Sequence, residues 1–70
     1  MQLREYVFLK QPIGEPLGAG KLHEKLKEVI GTLESVTIAT HTHPWLVIVR
    51  VYGGLSDEEC NRVQQAIEAA

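Results

Sequence analysis

The 70-residue sequence predicts an α+β fold of order β-α-β-β-α, and three observations carry that expectation. The apolar residues alternate along Leu3 to Lys10 and again along Ser35 to Thr42. They change to a helical period after Lys21 and again after Asp57, and a nearly continuous apolar run, Trp45 to Tyr52, lies between the second alternating stretch and the second helix. Turn residues punctuate the chain wherever the period changes.

Leu3 to Lys10, LREYVFLK, is rich in aromatic and branched residues, with Leu3, Val7 and Leu9 on one side and Arg4, Tyr6, Phe8 and Lys10 on the other. It is the expected first strand. Gln11 to Gly20, QPIGEPLGAG, carries two prolines and three glycines, which makes it a connector. From Lys21, the residues Leu22, Leu26, Val29, Ile30 and Leu33 form one apolar stripe on a helix whose other face is charged. Gly20 is the expected N-cap and Gly31 the expected stop.

Ser35 to Thr42 is the expected second strand, with Val36 and Ile38 facing one way and Thr37, Ala39 and His41 the other. Trp45 to Tyr52 is apolar except at Arg50, which places it at the centre of the sheet. After Gly53-Gly54, Ser56 and Glu59 have the spacing of a capping box, with Leu55 set to staple toward Cys60, and Cys60, Val63, Ile67 and Ala70 form the apolar stripe of a second helix. The crossover from strand 1 to strand 2 and the tight link from strand 2 to strand 3 give a three-stranded, mostly antiparallel sheet of order 1-3-2. Both helices cover one face. The plan is that of a truncated ferredoxin-like unit in a single domain, residues 1–70.

Length and charge limit what such a domain can do. A chain this short hides only about 60% of the surface that its unfolded form exposes, so its stability is thin. The lone cysteine excludes an internal disulfide and a Cys-rich zinc site, and it fits a reducing compartment. Seven Lys+Arg stand against nine Asp+Glu, interspersed, so no broad field draws in a polyanion and nucleic acid is disfavoured. Aromatics among cations on such a sheet can serve as a single-stranded RNA platform, but VRVYGG lacks the Gly and Phe pattern of the RNA-recognition signature. The N-terminal segment is neither a signal peptide nor a membrane span, and the expected location is cytoplasmic.

Connectivity brings one set of polar groups to the end of the sheet where strand 1 finishes. The 14–21 loop, the start of the first helix and the 41–45 hairpin meet there, so Gly18, Gly20, Lys21, His41, His43 and Trp45 are the candidate small-ligand or anion site. The loop departs from both the P-loop and the GxGxxG spacing: Glu15 and Leu22 stand where the P-loop needs Gly and Ser or Thr, and His23 stands at the third glycine position. His41 and His43 lie one residue apart on an extended segment, and with His23 they form a candidate zinc set; the bland alternative is a solvated hairpin tip. No other cofactor is expected.

The second expectation concerns the sheet face away from the helices. With Val36, Ile38, Trp45, Val47, Val49 and Val51 under the helices, Tyr6, Phe8, Leu46, Ile48, Arg50 and Tyr52 are the candidate interface residues. A patch of that extent needs a cover. A second copy of the chain is the expected one, in a homodimer or larger assembly. Catalysis has little support, because Ser35, Ser56 and Cys60 have structural explanations and no carboxylate pair is placed by spacing. In outline the arrangement resembles ligand-sensing ACT-type regulatory domains, whose first loop and helix start lie at a subunit interface. The expected function is thus a non-enzymatic, homo-oligomeric binding or regulatory module. Its alternatives are an interaction or inhibitor protein that uses the strand 1 edge, and a His-based metal protein.

Overall fold

The computed structural model describes residues 2–12 and 18–70. The elements are β1 (Leu3–Lys10), α1 (Ala19–Val29), β2 (Leu33–Ala39), β3 (Trp45–Tyr52) and α2 (Asp57–Ala69). The sheet order is β1-β3-β2, and both pairings are antiparallel. β3 lies at the centre because it alone is apolar on both faces over its whole length apart from Arg50.

Val47, Val49 and Val51 of β3 are fully buried, as are Leu22 and Leu26 of α1 and Val63 and Ile67 of α2. One core therefore joins both helices to one sheet face. Burying each of these side chains stabilises the fold by about 1.5–3 kcal/mol. The helix α2 starts as its sequence requires: the Glu59 N–H donates to Ser56 Oγ at 3.2 Å, and the Ser56 N–H donates to Glu59 Oε1 at 3.0 Å. The bond from the Ser56 N–H, and after it the nearby Ser56 hydroxyl, hold the Glu59 carboxyl below its ordinary value of 4.5.

Four expectations are corrected. The helix α1 begins at Ala19 with Gly18 as N-cap, two residues before Lys21, so Gly20 is inside its first turn. It stops at Val29 without a left-handed glycine, because Ile30 turns extended (φ −125°, ψ 111°) to bury its side chain. Burial of an isoleucine outweighs a cap there. Strand β2 runs from Leu33 to Ala39, with a bulge between Leu33 and Ser35, and not from Ser35 to Thr42. Residues 41–44 form a bend, with a cis peptide bond between His43 and Pro44.

The fourth correction concerns the faces of β1. Tyr6 pairs with Val49 and Phe8 with Val47, so these aromatics lie on the helix side, not on the open face. Phe8 is buried in the core, and the Tyr6 hydroxyl accepts a hydrogen bond from the Leu55 N–H at 2.9 Å. Lys10 shares that side and is buried too. The open face of β1 is instead Leu3, Glu5, Val7 and Leu9, a shift by one position that exchanges every side chain.

Candidate functional site

The open face is a ladder of four cross-strand pairs: Leu3 with Tyr52, Glu5 with Arg50, Val7 with Ile48, and Leu9 with Leu46. Directly opposed residues on an antiparallel pair have touching side chains. Three pairs are therefore apolar contacts, and the fourth is an ion pair, with Arg50 Nε donating to Glu5 Oε2 at 3.1 Å. The outer members remain in water: Leu3 is 48% exposed, Val7 55%, Leu9 54% and Tyr52 44%. Leu46 and Ile48 are half-buried behind them, and Thr37 and Ala39 of β2 extend the same face. Of the six expected interface residues, Leu46, Ile48, Arg50 and Tyr52 lie here, and Leu3, Val7 and Leu9 take the place of Tyr6 and Phe8.

A second feature lies along the outer edge of β1. The Gly53 N–H donates to the Gln2 carbonyl at 2.8 Å, which sets the even-numbered residues of β1 in hydrogen-bonding register with β3. The backbone groups of Leu3, Glu5, Val7 and Leu9 consequently point outward. Gln64 of α2 reaches one of them, with Nε2 donating to the Leu9 carbonyl at 3.2 Å. Beside it a groove of about 690 Å³ is lined by Val7 to Gln11, Pro44, Gln64 and Glu68.

Lys10 forms the inner wall of that groove and is 7% exposed. No ion pair or side-chain hydrogen bond engages it among the described residues. Glu68 is exposed at the outer lip and accepts a hydrogen bond from Gln64 Nε2 at 3.2 Å.

The residues expected at the rim are distributed more loosely. Gly18, Gly20 and Lys21 are exposed at the start of α1, His41 and His43 are exposed in the bend, and Trp45 is half-buried opposite Lys10. None of these six lines the groove. A Cβ added to Gly18 or Gly20 meets nothing within 4 Å, so neither glycine is held by a close approach. Gly14 and the rest of 13–17 lie outside the described residues.

Among the described residues no three His, Cys, Asp or Glu side chains form a group that could hold a metal ion, His23, His41 and His43 included. The strand alternation that would align His41 with His43 ends at Ala39, and His23 is half-buried on α1.

Sequence reasoning missed Lys10, Gln64 and Glu68. The signal for Lys10 was its place two residues after Phe8, on the same side of β1. Among the described residues no helix is long and apolar enough to cross a membrane. Compared with known proteins, the chain matches no protein-family model, no curated protein and no solved structure.

Proposed function

We propose that this chain is a non-enzymatic cytoplasmic binding and regulatory module that works as a homo-oligomer, each copy covering the open sheet face of another. The observation that carries the reading is the set Leu3, Val7, Leu9 and Tyr52, four large apolar side chains in water on one face. Leu46 and Ile48 make the patch continuous. Aliphatic side chains of this kind seal against one another, and the Glu5–Arg50 pair supplies a polar element that registers one copy on the next. A reducing location is consistent with Cys60, a free thiol packed against the core. Binding is favoured over catalysis because two of the candidate nucleophiles have structural roles, Ser56 as the cap of α2 and Cys60 packed against the core.

Light scattering of the purified chain tests the reading. The expected result is a dimer or larger species at micromolar concentration, and at least a tenfold weaker association for Val7→Glu and Ile48→Glu. A monomer over that whole range would refute it.

A further inference from the structure

The geometry points to a second binding site that adjoins the open face: the outer edge of β1, with its groove, accepts an extended peptide strand that carries a carboxylate opposite Lys10. Three observations converge on this occupant. The outward N–H and C=O groups of Leu3, Glu5 and Val7 are paired with no other strand among the described residues, and such a row is a template for strand addition. Gln64 already places an amide N–H on the Leu9 carbonyl, so the edge accepts from outside the sheet the bond that an incoming backbone would offer. Lys10 supplies the chemistry. It lines the groove, and no ion pair engages it among the described residues.

An added strand has alternate side chains on the helix side, where the groove is, and on the open side, beside Val7 and Leu9. A Glu or Asp at a helix-side position meets Lys10, and aliphatic residues at the alternate positions extend the apolar ladder. Glu68 opposes a carboxylate only weakly, since it is exposed and screened while Lys10 is enclosed. The β1 strand of a second copy is a poor occupant. The helix-side residues of its own β1 are Arg4, Tyr6, Phe8 and Lys10, with no carboxylate among them. The site is built for a different, acidic segment.

Fluorescence anisotropy with synthetic peptides tests this. The probes are blocked peptides in which valine alternates with threonine and one threonine is replaced by glutamate, glutamine or lysine. At low salt the glutamate peptide is expected to bind roughly tenfold or more tightly than the glutamine peptide, and the lysine peptide more weakly still. The variant Lys10→Met, checked for an unchanged circular dichroism spectrum, should bind the glutamate and glutamine peptides equally. Methylating alternate backbone nitrogens of the glutamate peptide should abolish binding in one of the two phases.

Equal affinity for glutamate and glutamine peptides, or a glutamate preference that survives in Lys10→Met, overturns the role of Lys10. Undiminished binding of both methylated peptides overturns strand addition and leaves only a carboxylate pocket. Failure of the peptides leaves the open-face reading intact, because light scattering reads self-association, which needs no strand at the β1 edge.

Discussion

Tyr6 shows how one hydroxyl can settle the face of a strand. In LREYVFLK both sides carry large apolar groups, aliphatic on one and aromatic on the other, so alternation by itself does not say which is inward. The inward choice gives the Tyr6 hydroxyl a partner in the Leu55 N–H, next to Gly54, where an added Cβ would lie 3.6 Å from the same oxygen. The hydroxyl thereby ties β1 to the loop that precedes α2. Tyr6→Phe removes that acceptor from a part-buried N–H and should cost about 0.5–1.5 kcal/mol, read as a lower urea midpoint. Self-association should be unaffected, since the ring is not on the open face. Lys10 illustrates the same limit. A lysine at a strand end reads as solvated, and only the register with Trp45, together with α2 alongside, makes it a groove wall.

Among the elements, α2 was the most legible, because its start signal is local. Ser56 and Glu59 satisfy each other's N–H groups whatever the rest of the chain does. Ser56→Ala should lower stability by about 0.5–2 kcal/mol at neutral pH. The charge on Glu59 adds a pH signature. Its folded value is lowered, so the stabilisation is present above the unfolded value of 4.5 and is lost as pH falls through the lower folded value. Urea melts at several pH values should show the difference between native and Glu59→Gln shrinking below that point; a difference constant down to strongly acidic pH would contradict the bond from the Ser56 N–H to the Glu59 carboxylate. By contrast, α1 has no side-chain cap, and its end is set by the burial of Ile30, which no local signal announces. The 41–44 bend misled for a related reason, since the alternation of Thr37 to His41 continues past the point where pairing with β3 stops.

For the whole molecule, one core under two helices leaves a sheet face and the outer edges of β1 and β2 open to a partner. With roughly 0.05–0.15 kcal/mol of stability per residue to expect, association should contribute a visible share. The midpoint of thermal unfolding should therefore rise with protein concentration for the native chain and stay constant for Ile48→Glu. A midpoint independent of concentration in both would argue that the folded unit is a monomer.

The order of elements, the central place of Trp45 to Tyr52 and the start of α2 were determined by the sequence alone. Periodicity, turn residues and capping act within a few positions, so they can be read one segment at a time. Which face of β1 turns inward, where β2 ends and which polar groups share a groove were decided only by the tertiary structure. Those properties depend on how residues some 40 to 60 positions apart are brought together, as Tyr6 is with Leu55 and Leu9 with Gln64. A strand with two apolar sides carries no internal preference, and its partner makes the choice.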